Sequence, residues 1–150
     1  MKLAGEQVLP VSQARAWAAL HDTAVLQAAI PGCEALTPAG PQRYDLRMAV
    51  PLGLVTARFE GRLQLSSLDE PHGFKLGFEG SGGVAGHGKG SVRIALVALS
   101  PRKTQLAYTL TARVGGPLAA IGDSLAGAVA QPLADEFFKR LLAAMRRKRP

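Results

Sequence analysis

At 150 residues, 47% hydrophobic and 19% charged, the chain has the size and composition of one globular domain with material for a real core. No apolar run approaches the roughly 18 residues of a membrane span, and a single cysteine excludes a disulfide frame or a thiolate metal cluster. Residues 1–6 carry an early acid and no apolar signal core, so no export and a cytoplasmic location are expected. The net charge of +7 is unevenly spread: residues 136–150 hold six Lys/Arg against one acid, and residues 80–122 hold none of the chain's acids. Nucleic acid is not the expected partner, because no aromatic residues interleave the basic ones. The tail Arg146, Arg147, Lys148 and Arg149 reads either as a solubilising helix end or as a contact for anionic lipid or an acidic partner.

In chain order, residues 2–9 read as a strand that Pro10 ends. Ser12 is placed to cap a short helix through Leu20 with Trp17 on its buried side, and Asp22 to cap a second, residues 23–30, stopped by Pro31-Gly32. The period then changes from 3.6 to 2. Tyr44, Leu46, Met48 and Val50 alternate with their neighbours, as do Ala57, Phe59, Gly61, Leu63 and Leu65, then Phe74, Leu76 and Phe78, then Leu106, Tyr108, Leu110, Ala112 and Val114. Val92, Ile94 and Leu96 belong to a further strand. Such alternation predicts antiparallel strands with one dry and one wet face, and Pro51-Leu52-Gly53, residues 69–73 and residues 100–103 carry turn chemistry. Last comes a long helix from Pro117 to about Met145. Its apolar stripe is Leu118, Ile121, Leu125, Val129, Leu133, Phe137, Leu141 and Met145; its first half is small-sided, and Pro132 is expected to bend it. The predicted class is α+β: a curved antiparallel sheet of six to seven strands wrapped round a C-terminal helix, residues 1–145, with a basic tail, residues 146–150.

The dry face bears few groups able to do chemistry. A concave sheet poor in aromatics beneath a small-sided helix lacks the bulk for native packing density, which predicts an apolar hollow rather than a tightly collapsed core. Its expected lining is Tyr44, Met48, Phe59, Leu63, Phe78, Tyr108, Leu110, Leu118, Ile121 and Leu125. The glycine-rich stretch at residues 80–91 has part of a phosphate-loop spacing, but Gly90 stands where a magnesium-binding hydroxyl belongs and a strand follows instead of a helix. It reads as a bulge or broken sheet edge, or as an entrance flap in which Gly83, Gly86, His87 and Lys89 meet an incoming ligand. The three histidines are scattered, Cys33 has no evident base, and Asp135 and Glu136 point about 100° apart on a helix, better placed to pair with Lys139 and Arg140. No acid–base pair, nucleophile or metal set emerges. The chain reads as a binder that needs no cofactor.

Four motifs then resemble those of a known family. Trp17-Ala18-Ala19-Leu20, Ile30-Pro31-Gly32-Cys33-Glu34, Gly82-Gly83-Val84-Ala85-Gly86 with Lys89-Gly90, and Leu133-Ala134-Asp135-Glu136-Phe137-Phe138 are similar to the signature of the CoxG family of carbon monoxide dehydrogenase accessory proteins, over about residues 1–142. That family falls in the START-like (SRPBCC) helix-grip superfamily. The resemblance implies a non-catalytic accessory protein that helps bring a molybdenum-containing carbon monoxide dehydrogenase or related hydroxylase to the cytoplasmic membrane. It also implies a lipid or quinone held between sheet and helix. His21 and Thr23 depart from the Asn and Pro frequent there, and the basic tail stands where some relatives continue into a membrane segment, so only reversible peripheral contact is expected. Two alternatives stay open: a cyclase- or dehydratase-like enzyme with Tyr44 or Tyr108 as proton donor, and an assembly factor with a filled core.

Overall fold

A computed structural model of the chain describes all residues except 53, 84–85, 117–121 and 148–150, and only the backbone at 50–52, 55 and 122–129. The elements are β1 (Lys2–Leu9), α1 (Gln13–Leu20), α2 (Thr23–Ala29), β2 (Cys33–Pro38), β3 (Arg43–Leu52), β4 (Val55–Asp69), β5 (Gly73–Ser81), β6 (His87–Ser100), β7 (Lys103–Gly115) and α3 (Gly122–Arg147). All strand pairs are antiparallel, in the order β1-β7-β6-β5-β4-β3-β2. The curved sheet is therefore a meander of hairpins, completed at one side when β1 pairs with β7. Two short helices follow β1, and the long helix comes last.

Local chemistry sets the element boundaries. The Ser12 hydroxyl accepts the Arg15 amide at 3.2 Å, and Asp22 Oδ1 accepts the amides of Ala24 and Val25 at 3.0 and 3.3 Å. Each cap satisfies donors that the first turn of a helix leaves unpaired. After α2, Gly32 takes φ +75°, and a side chain there would collide with the Ala49 carbonyl oxygen. The Gly32 carbonyl in turn accepts the Ala49 amide at 2.9 Å. The Ile-Pro-Gly-Cys-Glu motif is thus a joint: it turns the chain out of α2 and fastens it to β3.

Three expectations change. β2 is a strand where the sequence offered no alternation, because a bulge between Cys33 and Ala35 breaks the period and only pairing with β3 defines it. Its Pro38 is tolerated because β2 lies at the edge of the sheet. The glycine-rich stretch is neither a bulge nor a broken edge: β5 and β6 stay in register up to Ser81 opposite His87, well inside the strand order. Residues 82–86 only connect them. In α3 the more deeply buried ring is Phe138, while Phe137 lies half-buried against it, with centroids 5.2 Å apart. The expected start of that helix at Pro117, with Leu118 and Ile121, lies outside the described residues.

The core gathers at one end of the sheet. Leu9, Leu96, Leu106 and Leu141 are 1%, 2%, 0% and 0% exposed, packed with Trp17, Val25, Phe74 and Met145. Thr104, fully buried among them, donates its hydroxyl to the Val11 carbonyl at 2.9 Å. Tyr108 lies over Gly5, whose missing side chain leaves the space its ring fills, and stacks obliquely on Phe138 at 5.4 Å. Two substitutions test this layout by urea denaturation. Gly32→Ala meets both the left-handed backbone and the Ala49 carbonyl and is expected to cost at least about 2 kcal/mol. Leu141→Ala should cost about 2–5 kcal/mol by leaving a cavity; unchanged midpoints would contradict the assigned joint and core.

Candidate functional site

The inner face of the sheet is the one that carries the buried cluster. Two cross-strand rows lie on it beyond that cluster. One runs Tyr44, Leu63, Phe78, Gly90, Ala112, and the next runs Leu46, Gly61, Gly80, Gly88, Val114. The second row has three adjacent strands with no side chain at all, so it forms a bare floor flanked by Leu46 and Val114. Around that floor the large apolar side chains are only half-buried, although they point inward. Tyr44, Leu46, Met48, Phe59, Phe78 and Leu110 all keep surface that water reaches. Small or mid-strand residues there, Ala57, Leu63 and Ala112, are buried. The inner face therefore changes character along the strands, from solid packing at the α1 end to incompletely covered apolar surface at the other.

Of the expected lining residues, Tyr44, Met48, Phe59, Leu63, Phe78 and Leu110 share this face and this end. Tyr108 is on the same face but belongs to the packed cluster. Leu118 and Ile121 fall outside the described residues, and Leu125 lies on α3 with only its backbone described. What composition and periodicity could not give was the glycine row, because its three members come from separate strands and align only through register. Gly61 was legible as an inward position; Gly80 and Gly88 were hidden in a stretch read as one local motif.

The outer face of the same strands is charged. Asp45, Arg62, Glu79, Lys89 and Arg113 form one cross-strand row of mostly alternating sign. An open groove of about 550 Å³ is lined by members of this row together with Tyr44, Leu63 and Phe78. A wider one of about 1240 Å³ is lined by Leu46, Met48, Phe59 and the glycine row, with Arg47, Arg58, Glu60 and His87. Both mix charged and apolar walls, so the oily character of this end resides in the inner rows and not in the grooves as a whole.

At the expected entrance, Gly83 and Gly86 both adopt positive φ, and the turn is tied by Gly82 donating to the Gly86 carbonyl at 2.8 Å and Gly86 to that of Gly83 at 3.2 Å. His87 and Lys89 are strand residues of β6, and the His87 ring lies against Gly115 of β7. Arg146 and Arg147 are exposed in the last turn of α3, where they oppose the negative end of the helix dipole; Lys148 and Arg149 lie outside the described residues. Glu136 pairs with Arg140 at 2.9 Å, and that hydrogen bond holds its carboxyl below the usual range, whereas Asp135 accepts from Gln131 at 3.0 Å.

Titratable groups do not assemble for catalysis. Among the described residues no set of three or more His, Cys, Asp and Glu could hold a metal ion, and no helix is long and apolar enough to cross a membrane. His21 Nε2 is buried with no hydrogen-bond partner among the described residues, while Nδ1 lies 2.7 Å from the Trp17 carbonyl and the ring stacks on Trp17. It is a packing residue of the α1 end. Burial pushes the Cys33 thiol up, a weak contact to the Ala35 carbonyl only partly opposing it.

The chain matches the family model described as the CoxG component of carbon monoxide dehydrogenase over residues 5–145. It belongs to that family, whose name ties it to carbon monoxide dehydrogenase as an accessory subunit, and its fold is START-like. A conserved protein from Geobacillus kaustophilus superposes with a TM-score of 0.92 at 28% identity, over 98% of this chain and 96% of that one. A START superfamily protein from Mycobacterium smegmatis gives 0.77 at 13%, covering 97% of each chain. The Zhui aromatase/cyclase from Streptomyces sp. R1128 gives 0.67 at 15%, over 99% of this chain and 94% of that one. No curated protein sequence matches the chain.

The raised thiol has a measurable consequence. A thiol with a raised pKa holds less thiolate at neutral pH. Iodoacetamide should therefore label Cys33 more slowly in the folded protein than in urea, with the rate rising only at more alkaline pH than for an exposed thiol. Rapid labelling near pH 7 would instead mark it as an activated nucleophile.

Proposed function

We propose that this protein is a non-catalytic accessory subunit that holds a lipid or isoprenoid quinone under α3 and helps recruit a carbon monoxide dehydrogenase-type molybdenum hydroxylase to the inner face of the cytoplasmic membrane. One observation carries the ligand: large apolar side chains that face inward, around a floor of three aligned glycines, retain accessible surface. Leaving such surface wet is unfavourable by about 25 cal/mol per Å². A chain of methylene or isoprenoid groups laid along it gains that energy without any charged anchor, consistent with the absence of acid–base machinery among the described residues. Family membership supports the partner.

The aromatase/cyclase resemblance is one of fold at 15% identity, and what that protein catalyses does not transfer to this chain. Of the two tyrosines considered as proton donors, Tyr108 is packed between Gly5 and Phe138, which leaves Tyr44 as the one beside the incompletely covered surface.

Native mass spectrometry after incubation with decylubiquinone in detergent micelles is expected to show a one-to-one adduct. Leu46→Trp, which lays an indole over the glycine row, should abolish the adduct while the protein still melts cooperatively. Tyr44→Phe should keep it, as binding without proton transfer requires. An organic extract free of lipid and quinone, together with no adduct, would refute the ligand and leave an assembly factor with a filled core.

A further inference from the structure

The β3–β4 hairpin outruns its neighbours in the sheet. β2 pairs with β3 as far as Met48, Gly32 extends that contact by one bond to Ala49, and β5 pairs with β4 as far as Glu60. Beyond these points Val50 opposite Ala57, Pro51 opposite Thr56 and Leu52 opposite Val55 pair with each other and with no further strand among the described residues. A ribbon about 10 Å long thus projects from the sheet, at a rise of about 3.3 Å per residue. Its tip reads Val50-Pro51-Leu52-Gly53-Leu54-Val55, six residues without one polar side chain. The Leu54 side chain is fully exposed. One exposed leucine is ordinary, but an apolar tip on an overhanging two-stranded ribbon is not, because such a ribbon has little stability of its own in water and offers itself for pairing or burial.

The surroundings of the tip identify what buries it. Arg47 and Arg58 flank the base of the ribbon, Arg58 sharing a 3.5 Å pair with Glu34, and Lys89 and Arg113 stand directly opposite each other on β6 and β7 at the same end of the sheet. Like charges side by side are held there without a carboxylate between them, which suits a surface of dispersed negative charge. Val114, 44% exposed, adds apolar area at this end. This is also the end at which the inner face is incompletely covered. The C-terminal end of α3 lies at the other: Met145 is held there by Arg15, whose helix is tied to β6 by Gln13 donating to the Leu96 carbonyl at 3.0 Å. Leu96 and Gly88 are about 26 Å apart along β6. The basic helix end therefore does not share a plane with the tip.

We propose that the β3–β4 tip inserts into the headgroup–acyl boundary of an anionic bilayer, with Arg47, Arg58, Lys89 and Arg113 on the phosphates, so that the open end of the hollow faces the membrane. The orientation rests on the ligand reading above: a molecule dissolved in acyl chains passes into an apolar hollow only where the two meet. Apolar insertion and basic contacts act together, which gives reversible and salt-sensitive binding.

The test is sedimentation with phosphatidylcholine–phosphatidylglycerol vesicles. Leu54→Glu is expected to weaken binding about tenfold or more, with an unchanged melting curve and unchanged decylubiquinone uptake from micelles. Leu54→Trp should emit further to the blue on adding vesicles and be quenched by lipids brominated in their acyl chains, over the steady background of buried Trp17. Wild-type sedimentation of Leu54→Glu, or an emission indifferent to vesicles, overturns the proposal. So does loss of a co-purifying molybdenum hydroxylase from Leu54→Glu with vesicle binding intact, which would make the tip a protein dock. A protein that takes up no quinone from micelles removes the ligand reading, whereas the vesicle results judge the insertion of the tip separately.

Discussion

The structure depends on one clamp. Phe138, Leu141, Ala144 and Met145 of α3 are driven into the α1 end of the sheet, against Leu9, Trp17, Leu96 and Leu106. Most of the deeply buried bulk among the described residues is concentrated there. A curved sheet has more inner surface than one helix half can cover, and close packing demands that uncovered apolar surface be filled by something. At the clamped end aromatic and leucine side chains fill it. At the far end the sheet offers Gly61, Gly80 and Gly88 in line, with Ala112 and Gly90 in the neighbouring row. The asymmetry of residue size along the strands turns a scaffold into a holder.

The clamp also fixes which parts of the molecule can act together. Arg15 and Gln13 tie α1 to the helix end and to β6, so the basic residues Arg146 and Arg147 are committed to the solid end. The joint at Gly32 commits β2 and β3 to each other, and through them the long ribbon whose tip is Leu54. Rigid elements thus carry the two charged regions to opposite ends, one beside the packed core and one beside the bare floor. A membrane, a partner enzyme and a ligand can then be served by separate surfaces without competing for one.

Catalytic chemistry is poorly provided for by the same arrangement. The buried polar groups are used structurally: Thr104 closes the Val11 carbonyl, and His21 packs against the rings of Trp17 and Phe74. Cys33 is burdened by burial rather than activated. Glu34, Glu136 and Asp135 meet arginine and glutamine rather than one another.

Much of the fold was legible in the amino-acid sequence. Short-range causes made it so: the Ser12 and Asp22 caps, the period-2 alternation of β3 to β7 and the leucine–phenylalanine spacing of α3 each act within a few residues, and local sequence decides them. The family motifs were legible too, although their meaning was not; Gly32 proved to be a fastening to Ala49, and the glycine-rich run a register-keeping connection between interior strands. Three things were decided only by tertiary structure. β2 exists because β3 offers it hydrogen bonds. The glycine floor exists because register sets Gly61, Gly80 and Gly88 side by side from three strands. The overhang of the β3–β4 ribbon is a difference between the lengths of neighbouring strands. Each is a relation between distant segments, and no window of sequence contains both partners of such a relation.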